Sequence, residues 1–576
     1  MTTALGRTAL FEGLAPEELD AVASSMRERT FEPREVICRA GDAGDSVLLI
    51  LDGLARVLLE DADSGELKAV ARLRRGDVVG EMSLVTSEPR TATVIAGART
   101  TALELGREGF AELISAHPRI LANLNQILSH KLAETTARVG ESAARGEAIG
   151  LLVGTGSAAL VPELLAAAEA ASVRPPASLD ARSGPESVLA ALDDVLADHA
   201  TALVVAELGE ESLSGLVDAV DRAVVLLRTE EELELLAGLI GREGDGDQLV
   251  EIVVLADPPQ ADRLTAKAAS LGTVVRVSPN DAGTPPPEEL AWLGRHLTRT
   301  KLGLALGAGG AKGYAHVGAL RVLEEAGYTV DYVSGSSIGA IVGTWLALGM
   351  DSSEIEATFR NAFTPEVVAE IFKLSFSGAS TGLQTMTRIL RETTQDKTFA
   401  DLAKPLAVMT VDLNGRCAAP VSEGPLWEAL LAATALAGIF PPYERDGQRL
   451  VDGLALVPVP TDAVVELGAD VTVAVNIISS QTLPSWPGEA PPADESASPR
   501  SRMLDTLLEV MDLAQMHSSE RHAARADVPI TPLFGPSSWR DFHLADLFLE
   551  AGRRAAEEQL HLLQSRARPQ LSRLPA

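Results

Sequence analysis

The pentapeptide Gly335-Ser336-Ser337-Ile338-Gly339 restricts this chain more than any other segment, because of what flanks it. The strand-like Val330 to Val333 leads into it and the helical Ile341 to Leu348 leads out. A serine at a crowded strand-to-helix turn, with glycines allowing the backbone to bend, stands exposed at the positive end of the following helix dipole, which is the setting of a nucleophile elbow. A bare G-x-S-x-G also recurs by chance as a Gly/Ser-rich turn without chemistry, so the flanking strand and helix carry the argument. They require an α/β unit, whose pattern begins at Leu302 to Leu306 and continues to Ile478.

Two further segments supply what a serine nucleophile needs. About thirty residues upstream, Gly307-Ala308-Gly309-Gly310-Ala311-Lys312-Gly313 lies between the strand Leu302 to Leu306 and a helix predicted over Tyr314 to Ala326. Such a loop can aim several backbone N–H groups at one developing oxyanion, and losing one such donor costs on the order of 10²–10³ in rate. The alternative is a phosphate-binding loop, but neither the Walker spacing with its terminal Lys-Ser/Thr nor G-x-G-x-x-G is present. Lys312 either adds positive charge or covers the turn. Downstream, Asp452-Gly453 ends the apolar run Leu450-Val451, where a carboxylate held against the serine can accept its proton. Asp-Gly alone is commonly just a turn, and Asp412 is a rival base that a strand-end cap explains equally well. His316 invites a Ser-His-Asp triad, yet its place on the first helical turn reads as packing or capping. The other eight histidines show no metal-ligand spacing, so no metal is expected in catalysis.

Together these pieces resemble the patatin-like phospholipase family, over roughly Lys301 to Leu563. The resemblance implies an α/β fold with a Ser-Asp dyad, an oxyanion loop of the form G-x-G-G-x-K/R-G, and hydrolysis of acyl chains from glycerophospholipid or lysophospholipid substrates without a catalytic cofactor. Position by position it implies Ser337 as nucleophile, Asp452 as base, and Gly309, Gly310 and Ala311 as oxyanion donors. One departure is visible. The family often continues Asp-Gly with Gly or Ala, whereas Leu454 follows here.

The N-terminal region has a different texture. A helix opens at Pro16, with Glu17 and Glu18 near its positive end, and short alternating segments from Phe31 to Leu105 read as brief strands forming a small β-barrel or sandwich. A helical arm is predicted over Gly109 to Val139. Gly80-Glu81-Met82-Ser83-Leu84 followed by Pro89-Arg90-Thr91-Ala92 can hold a cyclic nucleotide: backbone N–H groups and the Arg90 guanidinium on the phosphate, Glu81 on the ribose hydroxyl, Thr91 on a purine. Residues 10 to 135 resemble the cyclic nucleotide-binding domain, and the combination resembles the neuropathy target esterase branch of the patatin family. The resemblance implies cAMP or cGMP as a regulatory ligand; the competing reading is a barrel that has lost its ligand, with Arg90 paired to Glu81.

Between the two regions, apolar runs at Ile149 to Val153, Ala202 to Glu207, Ala223 to Leu227, Ile252 to Leu255 and Val274 to Val277 alternate with helical stretches, which predicts a largely parallel sheet. Gly154-Thr155-Gly156-Ser157 faintly resembles a P-loop without its lysine, so a structural or docking role is expected and ATP hydrolysis is not. The expected division is a cyclic nucleotide-binding domain with connecting helix over 1–140, a middle α/β domain over 148–287, with the proline-rich 280–287 as boundary, and a patatin-like α/β hydrolase domain over 300–576 containing a mobile loop at 481–500.

Composition excludes other classes. With 49 Lys and Arg against 81 Asp and Glu, the net charge of −32 repels nucleic acid. Only Cys38 and Cys417 occur, so neither a disulfide framework nor a thiolate metal site is expected and a reducing cytosol fits. No signal-like N-terminus and no apolar run of about 18 residues is present, so a cytoplasmic protein touching membrane only peripherally is expected. Oligomeric state is left open. The competing function is a cyclic-nucleotide-sensing signalling module on an inactive hydrolase fold.

Overall fold

Alternating apolar residues over 27–106 form eight strands, and two α/β sheets, one of six strands and one of eight, organise the rest of the described residues. The computed structural model of the chain describes residues 11–60, 67–80, 89–123, 147–181, 185–241, 250–277, 284–371, 381–436, 439–484 and 510–569, with short interruptions within the first 123 residues and at 210–219 and 511–512. It divides into two compact units, Met1–Leu165 with Arg174–Leu290, and Ala166–Val173 with Ala291–Ala576.

In the first unit, α1 (Pro16–Ser25) starts on its proline as expected. The strands β1 (Arg27–Phe31), β2 (Val36–Cys38), β3 (Ser46–Asp52), β4 (Ala55–Glu60), β5 (Leu67–Leu73), β6 (Val78–Val79), β7 (Thr93–Ala96) and β8 (Thr100–Gly106) form two antiparallel four-stranded sheets, ordered β1-β8-β3-β6 and β2-β7-β4-β5. The strand period of two sends Leu48 and Ile50 into one cluster with Phe31 and Ala102, and Val47 and Leu49 into another with Leu103 and Leu105. Most of the arm expected over Gly109 to Val139 lies outside the described residues.

The same unit carries a six-stranded all-parallel sheet: β9 (Glu147–Val153), β10 (Ala177–Asp180), β11 (Thr201–Glu207), β12 (Arg222–Leu227), β13 (Val250–Leu255) and β14 (Thr273–Val277), ordered β10-β11-β9-β12-β13-β14. The edge strand β10 is missing from the sequence reading because its four residues alternate partial burial with exposure and so present no apolar run. The helices α2 (Val161–Ala171), α3 (Pro185–Asp198), α4 (Glu230–Gly241) and α5 (Pro258–Ala268) connect the strands. The last of the three consecutive prolines, Pro287, is not linker: it opens α6 (Pro287–Leu297), where its missing N–H is harmless.

The second unit is built on eight strands: β15 (Leu302–Leu306), β16 (Tyr332–Ser336), β17 (Leu406–Asp412), β18 (Cys417–Val421), β19 (Tyr443–Arg445), β20 (Gln448–Asp452), β21 (Val471–Val475) and β22 (Val528–Ile530). Their order is β19-β20-β17-β16-β15-β21-β22, with β18 on β17. The centre is parallel and buried on both faces; β18, β19 and β20 join antiparallel. The chain leaves β15 for β16 on one side and returns as β21 on the other, so the loop after β15 sits at a topological switch point, where ligands of such sheets collect. The helices are α7 (Tyr314–Glu325), α8 (Ile338–Ala347), α9 (Ser352–Ala362), α10 (Pro365–Ile371), α11 (Thr381–Thr394), α12 (Leu426–Ala433), α13 (Thr461–Glu466) and α14 (Ala545–Arg566). α7 and α14 cross at backbone contact, since a Cβ on Gly552 would lie 2.0 Å from the Ala315 carbonyl oxygen. The apolar Ala429 to Pro442 is helical only to Ala433. Of the loop expected at 481–500, residues 485–500 lie outside the described residues.

Candidate active site

The strand expected at Val330 to Val333 runs from Tyr332 to Ser336 and α8 begins at Ile338, which leaves Ser337 alone in the turn. Its φ of 54° and ψ of −123° are rare for a side-chain-bearing residue and hold on the order of 1–3 kcal/mol of strain. Close approach enforces the turn: a Cβ at Gly335 would lie 2.4 Å from the Gly339 carbonyl oxygen, and one at Gly339 would lie 2.2 Å from that of Leu306.

Sheet order brings the carboxylate to this serine. β17 pairs with β16 on one side and β20 on the other, Met409 opposite Ser336 and Thr410 opposite Asp452. Ser337 Oγ donates to Asp452 Oδ2 at 2.6 Å across 115 residues of sequence. Asp452 Oδ1 accepts the Leu454 N–H at 2.9 Å, so the departure at Leu454 leaves the turn geometry intact. Asp452 is 3% exposed. Burial pushes its carboxyl from 3.8 up to about 6, against the opposing pull of the hydrogen bonds from Ser337 and Leu454.

The glycine loop crosses above the same point. Gly309 and Gly310 take φ of 156° and 59°, and among the described residues neither N–H has a protein acceptor. Both glycines, with Ser337 and Asp452, line one pocket, whose walls include Ile341, Phe363, Met386, Ile439, Trp539 and Phe542. Ala311 departs from the expected donor set. Its N–H donates to the Trp539 carbonyl at 2.7 Å, so it is already engaged. Lys312 Nζ lies 5.5 Å from the centre of the Phe534 ring. Sequence reasoning missed Trp539 and Phe542; the signal was two aromatics three positions apart in a chain with only 4% aromatic residues.

Asp412 and His316 have other partners. Asp412 accepts the N–H groups of Asn414 and Gly415 at 3.0 Å each and of Arg449 at 3.1 Å. Desolvation raises its carboxyl, but these three donors outweigh it and hold the group below the usual carboxylate range. It caps the β17–β18 turn. His316 is fully buried and its Nε2 lies 2.8 Å from the Gly307 carbonyl oxygen.

In the N-terminal barrel, Arg90 is 7% exposed and its Nη2 donates to the Ser46 carbonyl at 2.7 Å and to Ser46 Oγ at 3.3 Å. Its buried Nη1 has no partner among the described residues. Gly80 leaves room for it, since a Cβ there would lie 1.5 Å from Nη1. A buried guanidinium with an unused donor fits an anionic ligand such as a cyclic phosphate. Thr91 is exposed; Glu81, Met82 and Ser83 lie outside the described residues.

At the switch point of the middle sheet, the Gly154–Ser157 turn follows β9 as expected, and a carboxylate lies against it. Glu232 accepts the N–H groups of Arg228 at 2.6 Å, Thr229 at 3.2 Å and Gly156 at 3.4 Å, while Thr229 Oγ1 accepts the Glu232 N–H. This is a capping box at the start of α4 whose acid also reaches the glycine turn.

Comparison with known proteins finds two known domains in the chain. Residues 304–465 match the family model for patatin-like phospholipase, and residues 28–117 match that for the cyclic nucleotide-binding domain. The chain therefore carries a patatin-like phospholipase domain and a cyclic nucleotide-binding domain, and its relatives include NTE family proteins.

Among relatives, human patatin-like phospholipase domain-containing protein 6 is 25% identical over 517 residues, covering 77% of this chain and 37% of the relative. The chain thus spans well under half the length of that protein. An uncharacterized NTE family protein of Mycobacterium tuberculosis is 24% identical over 592 residues, covering 97% of this chain and 96% of its own. The catabolite activator protein of Thermus thermophilus, a solved structure, is 28% identical over 28% of this chain and 67% of that one, with a TM-score of 0.22.

Proposed function

We propose that the chain is a serine acyl-ester hydrolase acting on phospholipid or lysophospholipid acyl esters. The observation that carries this reading is the 2.6 Å hydrogen bond from Ser337 Oγ to a buried Asp452, beside two unengaged glycine amides in an apolar pocket. Ser337 Oγ attacks the ester carbonyl as its proton passes to Asp452 Oδ2. The carbonyl oxygen becomes an oxyanion and takes the N–H groups of Gly309 and Gly310. Collapse expels the alcohol, which leaves with the proton from Asp452, and the acyl group stays on Ser337. Asp452 then deprotonates a water that attacks the acyl-enzyme, and proton return to Ser337 releases the fatty acid. The raised carboxyl suits this exchange, because a base near 6 both takes and returns a proton close to neutral pH.

The three-part division at 1–140, 148–287 and 300–576 belongs to the same reading, with control by cAMP or cGMP bound at Arg90. Support comes from the matched domain and from Arg90 Nη1, which has no partner among the described residues. Control of this kind requires the nucleotide to bind two states of the enzyme with different affinity. Hydrolysis of a short-chain p-nitrophenyl ester tests the enzyme: Ser337→Ala should abolish turnover and labelling by a fluorophosphonate. A wild-type chain that neither turns over nor labels would return the reading to a sensing module on a silent fold.

A further inference from the structure

The oxyanion loop is fastened on both sides of its two unengaged amides. Before them, Gly307 N–H donates to the Val475 carbonyl at 3.0 Å and Ala308 N–H to that of Pro458 at 2.9 Å; after them, Ala311 N–H donates to that of Trp539 at 2.7 Å. Those bonds hold donors of the loop. The Gly307 carbonyl is held from the other direction, by His316 on the first turn of α7. A carbonyl oxygen only accepts, so His316 Nε2 carries the hydrogen and Nδ1 carries a lone pair. Nδ1 is buried with no partner among the described residues. An unsatisfied buried polar atom destabilises the fold, a cost that an apolar side chain of similar size would avoid. The site therefore carries a polar residue at a cost to stability, and among the described residues the one hydrogen bond its side chain makes is to the loop.

We propose that His316 is a positioning residue of the oxyanion loop, its Nε2–H fixing the Gly307 peptide so that the Gly309 and Gly310 amides face the carbonyl oxygen of the ester attacked by Ser337. The Gly307 carbonyl oxygen is also the neighbour that a Cβ on Gly339 would meet at 2.7 Å, so its peptide packs against the first turn of the helix that follows the nucleophile. Without the histidine tether the Gly307–Ala308 peptide keeps only its Ala308 N–H bond to Pro458 and can tilt about it, and the chain beyond passes through two glycines with no side chain to restrain them. Burial lowers the His316 ring to about 4, so it is neutral at working pH and acts through its geometry. It is not the base: Asp452 holds that position on Ser337.

This inference rests on the hydrolase reading, and the test separates the two. In the full-length protein, His316→Gln keeps an N–H at nearly the Nε2 position and His316→Met removes it at similar length. Each is measured for p-nitrophenyl ester turnover, for inhibition by an alkyl trifluoromethyl ketone, whose serine adduct places an oxyanion on the loop, and for inhibition by the matching alkyl methyl carbinol, which cannot form one. His316→Met should lose roughly 10- to 100-fold in kcat and a similar factor in trifluoromethyl ketone affinity, a fraction of what losing a whole donor costs. KM and carbinol affinity should stay within about twofold, and His316→Gln should regain most of the loss. Wild-type kcat in the Met variant, equal losses in both variants, or a loss carried by KM and the carbinol would overturn the proposal. A wild-type protein with no turnover and no Ser337 labelling would overturn the hydrolase reading and this inference together.

Discussion

Replacing Asp452 by Asn should remove activity and stabilise the fold, with a pH dependence that identifies the cause. The carboxyl is 3% exposed and burial pushes it from 3.8 to about 6. Below about pH 4 it is protonated in both folded and unfolded chains and makes no difference to stability. Between 4 and 6 the unfolded chain releases the proton while the folded one keeps it, so the folded state falls behind as pH rises. Above about 6 the full penalty stands: two pK units at about 1.36 kcal/mol each amount to roughly 3 kcal/mol at pH 8, and about half of that at pH 5. Asparagine keeps the volume and can still accept the Leu454 N–H without ever carrying charge. Turnover should fall by on the order of 10²–10⁴, the share a general base supplies. Paired thermal melts of wild type and Asp452→Asn from pH 5 to 8 should show the variant's advantage growing with pH. A variant that is less stable at every pH, with no trend, would show that burial does not penalise the carboxylate. On the proposed mechanism the same group should set the acid limb of kcat/KM, with activity falling as pH drops through about 6.

Asp412→Asn should leave ester turnover within a fewfold of wild type, because three backbone N–H groups already occupy its carboxylate; loss of most activity, measured with the same p-nitrophenyl ester, would mean the base had been misassigned. Arg90→Leu should weaken cAMP or cGMP binding by about 10- to 100-fold in calorimetric titration, the worth of a charge-assisted hydrogen bond; unchanged affinity would place the anion elsewhere. Glu232→Ala should release the Arg228, Thr229 and Gly156 amides, a capping loss of about 1 kcal/mol or more. Hydrogen exchange should then speed up at those three amides, and unchanged protection there would contradict the role assigned to the acid.

What could be read from the chain was what lies close together along it. The turn around Ser337 spans five residues, and Gly335 is demanded by the backbone of Gly339 and Ala340 just beyond it, so the local pattern identified the strand, the turn and the helix; Gly339 answers instead to the Leu306 carbonyl on β15, a contact the local pattern does not show. Asp452 was legible for a different reason: a polar residue ending an apolar run marks a strand end whatever its partner, and only the β16-β17-β20 order places it against Ser337. Ala311 could not be judged that way. Its amide looks as available as those of Gly309 and Gly310 until residue 539 is brought back across the loop.

The same distinction accounts for β10, whose four residues lack an apolar run, and for Asp412 and His316, whose chemistry left their roles open. Asp412 and Asp452 are both aspartates on adjacent antiparallel strands. Their surroundings divide the work: three backbone donors and a turn hold one ionised, while burial with a hydroxyl and a single N–H raises the other toward neutrality. Side-chain type narrowed the candidates to two, and sheet order distinguishes them, because of these two carboxylates the one at the end of β20 opens onto Ser337 and the glycine loop at the switch point beside β15.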